Sequence, residues 1–95
     1  KAGFPDNVFV QITLHSQQRA DLDAFEAAIR AIPEVMECYL MSGDADYMVR
    51  VVVQDARDYE RIHSRQLTQL PGVDRVHSSF ALRTVIKRTE VPIRA

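Results

Sequence analysis

The sequence contains one structural pattern twice, and this repetition restricts the fold more than any other feature. Each copy has an apolar strand with alternating side chains, then an amphipathic helix, then a second strand. Residues 31–35 and 69–73, which end in Pro-Glu-Val and Pro-Gly-Val, occupy equivalent places in the two copies. Two successive βαβ units with right-handed crossovers predict a ferredoxin-like βαββαβ fold of the α+β class, an antiparallel sheet with both helices on one face.

The first copy begins with a strand over residues 8–14, where apolar β-branched residues alternate with other side chains. A helix follows, because apolar residues then recur at helical spacing up to a stop before Pro33. These helical positions are Leu22, Phe25, Ile29 and Ile32. Residues 35–41 are predicted to form the second strand.

The second copy begins with a strand over residues 47–53. Asp55 is a predicted helix N-cap, with Asp58 three residues later, and both acids suit the positive end of a helix. The helix is predicted to continue through Gln66 and Leu70. A fourth strand is predicted over residues 76–84, with one face formed by Val76, Ser78, Phe80 and Leu82.

Apolar side chains lie on both sides of the predicted sheet. In strand three, an aliphatic row forms one face, and Met48 and Val52 lie on the other. In strand one, Phe9 lies on the face opposite the aliphatic residues of that strand. Two helices cover only one side, so the other would leave a large apolar patch in water. We therefore expect a dimeric α/β sandwich that packs through the sheets. The alternative is a monomer in which Gln11, Thr13 and Arg50 make the second face sufficiently polar.

Charge and hydropathy exclude several classes of function. The formal net charge of the 95 residues is -1, with 12 basic and 13 acidic residues, which gives no field for binding phosphate backbones. The basic C-terminal stretch is interrupted by Glu90 and is expected to be solvated surface. No signal peptide or membrane-spanning segment is evident, so a cytoplasmic location without membrane binding is expected.

No arrangement of residues indicates catalysis, and no cofactor is implied. The serines lack a nucleophile-elbow context, and His15, His63 and His77 are not spaced as catalytic bases or as zinc ligands. Cys38 has no cysteine partner and is expected to be a structural thiol. An enzyme remains the weaker alternative, since small enzymes use this fold class and His77 and Arg50 could point into the sandwich.

The turn over residues 41–47 is the strongest candidate for ligand binding. Gly43 frees backbone N–H groups that could hold a carboxylate, and Asp44 or Asp46 could pair with an ammonium group. Such a loop would suit a zwitterion. The competing interpretation is a plain hairpin turn, in which glycine supplies a positive φ and aspartate caps the bend.

Several motifs occur together in an order that resembles the effector domain of the Lrp/AsnC family of transcriptional regulators. The resemblance covers residues 8–93 and includes the pattern PxVxxCYxxxGxxDYxxRV from Pro33 to Val51. It implies that residues 8–95 form an effector-binding and oligomerisation (RAM) domain. Residues 1–7 would be a linker or tail joined to a helix-turn-helix domain, and DNA would bind only through that absent domain.

The resemblance also implies the partners and the site. Dimers would pack through their sheets and assemble further into tetramers, octamers or larger rings, with an amino acid or related metabolite bound between dimers. The implied effector-binding residues are Ser42, Gly43, Asp44 and Asp46 in the loop, Tyr39, Met41 and Tyr47 nearby, and His77, Ser78 and Ser79 from a neighbouring subunit. A stand-alone assembly domain without a ligand is the alternative.

Overall fold

Four strands and two helices alternate along the chain in the order that the sequence predicts. The computed structural model describes residues 6–92. Its elements are β1 (Asp6–Leu14), α1 (Arg19–Ile29), β2 (Val35–Leu40), β3 (Tyr47–Val53), α2 (Ala56–Arg65), a 3₁₀ turn (Leu67–Gln69) and β4 (Val73–Phe80). The strands form one antiparallel sheet in the order β2-β3-β1-β4. The predicted ferredoxin-like βαββαβ fold is therefore confirmed.

One face of the sheet, here called the helix-covered face, carries the core. Phe25 of α1 stacks on the ring of Tyr47 in β3, and Tyr59 of α2 contacts Ser78 and Phe80 in β4. Burial alternates along β1 and β3, as the period of two requires. The buried sheet residues are Val8, Val10, Ile12, Leu14, Tyr47, Val49, Val51 and Val53.

The opposite side of the sheet, here called the open face, has no helix over it among residues 6–92. Its apolar members include Phe9, which is 39% exposed, and Tyr39, which is 54% exposed. Arg50 lies among them and is held by Glu37 Oε1 at 3.1 Å and by Asn7 Oδ1 at 2.8 Å. The open face is thus mixed, with an ion pair beside its aromatic side chains, and less apolar than the alternation alone indicates.

The predicted end of the second helix is wrong. α2 ends at Arg65, because Gln66 leaves the helical region with φ -125°, and a 3₁₀ turn carries the chain from Leu67 to Gln69. Pro71 disfavours helical geometry in the residue before it, so Leu70 is extended. Leu67 and Leu70 are still buried, and this explains why the helical spacing seemed to continue. The predicted Asp55 cap is confirmed, since its Oδ1 accepts from the Asp58 N–H at 2.8 Å.

The bounds of β4 and β1 also differ from the prediction. β4 runs from Val73 to Phe80 rather than over residues 76–84, and Leu82 is exposed. β4 pairs only with β1, and the last pairs are Val8 with Phe80 and the Ala81 N–H with the Asn7 carbonyl. β1 is described from Asp6 onward. That start lies inside the predicted tail at residues 1–7, of which residues 1–5 lie outside the described residues.

Candidate functional site

The loop over residues 41–46 joins β2 to β3 and is closed at its base. The Met41 N–H donates to the Asp46 carbonyl at 2.9 Å, and the Asp46 N–H donates to the Ile12 carbonyl at 3.0 Å. Gly43 has φ +111°, in the left-handed region that favours glycine. The glycine therefore makes the turn that the hairpin interpretation predicts, and the tip of the loop consists of residues 42–45.

Asp46 fastens the base of the loop to the end of β1. Its Oδ2 accepts from the Leu14 N–H at 2.7 Å and from Gln17 Nε2 at 3.2 Å. The same Gln17 amide nitrogen donates to the Leu14 carbonyl at 3.2 Å. One oxygen of this predicted ligand-binding carboxylate is therefore engaged within the fold.

Tyr47, the next residue, points to the helix-covered face. It is 1% exposed, and its hydroxyl donates to Glu26 Oε2 at 2.6 Å. Its ring lies 4.4 Å from that of Phe25, centroid to centroid. Burial, together with the hydrogen bond to Glu26, raises the pKa of Tyr47 well above its ordinary value. Among the predicted site residues, Tyr47 is therefore a core residue that ties the loop to α1.

The remaining loop residues, with the exception of Gly43, line a cleft of about 270 Å³ on the open side of the sheet. This volume is near the lower end of the ~300–1,000 Å³ typical of small-molecule pockets. The lining residues are Gln11, Met41, Ser42, Asp44, Ala45 and Met48. Asp44 is exposed and supplies a carboxylate at the rim, while the two methionines supply apolar wall. Such a cleft offers a charged contact to a cationic group and apolar surface to the rest of a ligand.

Gln11 and Met48 were not predicted as site residues. They are cross-strand partners, Gln11 in β1 and Met48 in β3, and they form the floor of the sheet beside the loop. Strand alternation already places both opposite the aliphatic rows. That signal could have identified them once β1 and β3 were paired.

The predicted residues of β4 divide between the two faces. His77 is the partner of Gln11, and Ser79 is the partner of Phe9, so both lie on the open face. Ser78 instead lies on the helix-covered face, where its hydroxyl is hydrogen-bonded to that of Tyr59. The row His77, Gln11, Met48 and Tyr39 therefore crosses the open face toward the loop.

A larger cleft of about 430 Å³ opens near Arg50, on the part of the sheet away from the loop. Phe9 and the chain after β4, including Arg83 and Lys87, form much of its wall. The Arg50 guanidinium in this cleft is already bound by Glu37 and Asn7. In the smaller loop cleft, by contrast, the Asp44 carboxylate makes no ion pair within the described chain.

Cys38 lies half-buried in β2, opposite Val49 of the helix-covered face. Burial, and secondarily the negative charge of Glu26, raises the pKa of the Cys38 thiol to about 11, against a smaller lowering by Arg30. Within residues 6–92 no group of His, Cys, Asp or Glu side chains is placed to hold a metal ion. These surroundings suit a structural thiol.

We expect Cys38 to react slowly with iodoacetamide. The thiolate is the nucleophile, so a pKa of about 11 reduces alkylation at pH 8 by on the order of 100-fold relative to an ordinary cysteine. Mass spectrometry of time points would measure the rate, with the urea-unfolded chain as the control. Equal rates in the folded and unfolded chains would contradict this prediction.

The fold and the loop cleft define a ferredoxin-like α+β domain with one open sheet face and a ligand-sized cleft beside a hairpin. The family model of the Lrp/AsnC ligand binding domain matches residues 7–91. The chain therefore belongs to the Lrp/AsnC family, and the resemblance found in the sequence is confirmed.

Named relatives agree with this assignment. The chain is 54% identical over 79 residues to the uncharacterized HTH-type transcriptional regulator y4sM of Sinorhizobium fredii, covering 83% of this chain and 62% of that protein. An AsnC family transcriptional regulator from Agrobacterium tumefaciens superimposes with a TM-score of 0.84 at 36% identity, covering 95% of this chain and 58% of the other. The feast or famine regulatory protein from M. tuberculosis, complexed with L-methionine, gives 0.75 at 31% identity, covering 95% and 59%.

The chain therefore spans about three fifths of the length of these relatives. The family and its named members are transcriptional regulators rather than enzymes, which agrees with the expectation that this chain is not an enzyme. Neither helix in the described part of the chain has the length and hydropathy needed to cross a membrane.

Proposed function

We propose that this domain binds a free amino acid, or a related small metabolite, at the loop cleft. Asp44 would pair with the α-ammonium group of the ligand, and the N–H groups around Gly43 would receive its carboxylate. In the described chain none of the amides of residues 42–45 donates to a backbone carbonyl. The observation that carries the proposal is the exposed Asp44 carboxylate on a partly apolar cleft, next to these amides without a backbone acceptor. Charge-assisted bonds of both signs would orient a zwitterion.

The open face supplies the second half of the proposal, which is assembly. Phe9, Tyr39 and Met48 on this face would be buried against a second copy of the chain in a homodimer, and dimers would assemble further. His77 and Ser79 reach the same face, so a neighbouring subunit could bring them to the ligand. A relative of 31% identity has been solved with L-methionine, which supports an amino acid as the ligand class.

Ligand binding would regulate DNA binding by linkage. A metabolite that binds one assembly state more tightly than another shifts the population toward that state. Helix-turn-helix domains attached to the same chain would then be presented to DNA in a different arrangement. A domain of pure assembly, without ligand, is the second candidate, because the loop is also a well-closed hairpin.

A thermal-shift screen of all free amino acids tests the ligand. We expect at least one to raise the melting temperature in a concentration-dependent way, since saturation at about 100 times Kd stabilises the folded state by about 2.7 kcal/mol. Asp44→Asn should weaken binding of that amino acid at least 10-fold by isothermal titration calorimetry, because the amide cannot pair with an ammonium.

Asp23→Asn is the matched control, since Asp23 is an exposed aspartate on α1 away from the loop cleft. It should leave both the melting temperature and the affinity unchanged. A screen in which no amino acid shifts the melting temperature would favour the assembly domain. Unchanged affinity in Asp44→Asn would contradict the assignment of the ammonium contact.

A further inference from the structure

Two carboxylates lie two residues apart in the loop, and their surroundings differ. Asp44 is exposed and lines the cleft. Asp46 is half-buried, does not line the cleft, and receives the Leu14 N–H at 2.7 Å. The sequence alone allows either carboxylate to bind an ammonium group, whereas these environments separate their roles.

The bond between Asp46 and Leu14 holds the end of β1, an inner strand of the sheet. Leu14 is the last residue of β1, and the register with β4 shifts between Thr13 and Leu14. The Asp46 carboxylate accepts the N–H at this irregular end of the strand, and a bond to an ionised acceptor is roughly twice as strong as a neutral one. If Asp46 turned toward a ligand, the Leu14 N–H would lose this partner.

Gln17 donates a second hydrogen bond to the same oxygen. Its side-chain amide donates to Asp46 Oδ2 and to the Leu14 carbonyl, both at 3.2 Å, and so joins the loop to the turn before α1. Gln17 does not line the loop cleft. Any influence of this residue on ligand binding must therefore pass through the position of the loop.

We propose that Asp46 and Gln17 are positioning residues for the loop, and that Asp44 is the carboxylate that contacts the ligand. The inference rests on the proposed function for the ligand arm of its test, since it concerns the same site. Asp46 holds residues 41 and 46 at the base of the hairpin through its bond to Leu14, and the tip is thereby presented to the cleft. The Oδ2 oxygen of Asp46 is thereby engaged within the fold.

Four variants of the full chain test this assignment: Asp46→Asn, Asp46→Ala, Gln17→Ala and Asp44→Asn. An asparagine oxygen can still accept from Leu14 and Gln17, so Asp46→Asn should retain ligand affinity within about 3-fold. Asp46→Ala should lose at least 10-fold and Gln17→Ala about 2-fold to 5-fold. Asp44→Asn, which removes the proposed contact, should lose at least 10-fold.

Amide hydrogen exchange of the ligand-free protein provides a second measurement. The amides of Leu14, Met41 and Asp46 donate at the base of the loop. In the Asp46→Ala variant we expect them to exchange at least 10-fold faster, and in Asp46→Asn within about 3-fold of the parent rates. A role confined to ligand contact would leave these rates unchanged in both variants.

The proposal is overturned if Asp46→Asn loses as much affinity as Asp46→Ala while the three amides keep their parent exchange rates. If the parent protein binds no amino acid, the proposed function fails and the exchange rates alone decide the positioning role. If Asp46→Ala does not fold, the other variants decide. Affinity lost in Asp46→Asn but kept in Gln17→Ala would contradict the positioning role of Asp46 and Gln17.

Discussion

Replacing Phe25 by alanine is expected to lower the free energy of unfolding by about 3–5 kcal/mol. Phe25 is fully buried under α1, and its ring stacks on Tyr47 with centroids 4.4 Å apart. Removing the ring leaves a cavity between the helix and β3 that these packed neighbours cannot fill. Urea denaturation followed by circular dichroism would measure the change from the midpoint and slope.

Leu40→Ala is the control for this experiment, because Leu40 is 58% exposed at the edge strand β2. Its loss should stay within about 0.5–1 kcal/mol, as expected for a largely exposed side chain. Small domains have about 5–15 kcal/mol of total stability, so Phe25→Leu provides a milder variant if the alanine variant does not fold. Equal losses for Phe25→Ala and Leu40→Ala would show that the core is elsewhere.

Phe9→Ala is expected to weaken self-association by at least 30-fold while leaving the fold intact. Phe9 lies on the open face in the central strand β1, opposite Arg50 in β3 and Ser79 in β4. Aromatic side chains at the centre of an interface commonly contribute ~2 kcal/mol or more to binding, which corresponds to this change in Kd. Sedimentation equilibrium over a range of protein concentrations would measure it.

Leu40→Ala is also the control for this experiment. Leu40 is exposed, but it lines a separate cleft, with Glu26 and Tyr47, on the helix-covered face rather than on the open face. It should associate like the parent protein. The melting temperature of the parent should also rise with protein concentration, because association stabilises the folded state by mass action. A parent protein that sediments as one chain at micromolar concentration would refute assembly through the open face.

Much of the fold follows from the period of two in β1 and β3. The alternation assigns Val10 and Val49 to one face and Phe9 and Met48 to the other, and the structure confirms both assignments. The ends of elements depended on partners that a local pattern does not contain. β4 stops at Phe80 although the next amide, of Ala81, still donates to the Asn7 carbonyl of β1, and α2 stops before the Leu67 turn although apolar spacing continues.

The sequence directed attention to the loop as the candidate site, but it did not identify all of the residues around the cleft. The glycine turn and its two aspartates identified the loop, but the roles of Asp44 and Asp46 depend on Leu14, which is 32 residues away from Asp46 in sequence. Gln11 and Gln17 became visible only once β1 was placed beside the loop. Tyr47 was predicted as a site residue, although its spacing of two residues from Val49 could have placed it on the helix-covered face, where the structure has it.

The tip of the loop has a structural property that bears on how its sequence can vary. The tip at residues 42–45 lies outside the hydrophobic core, and only the positive φ of Gly43 restricts the residue type there, since a Cβ at Gly43 would meet no atom within 4 Å. Asp46 is hydrogen-bonded to Leu14 and Tyr47 to Glu26, so the base of the loop is held by two separate parts of the chain. Under the proposed function, substitutions of Ser42, Asp44 or Ala45 would change which ligand the cleft accepts while leaving these contacts at the base in place.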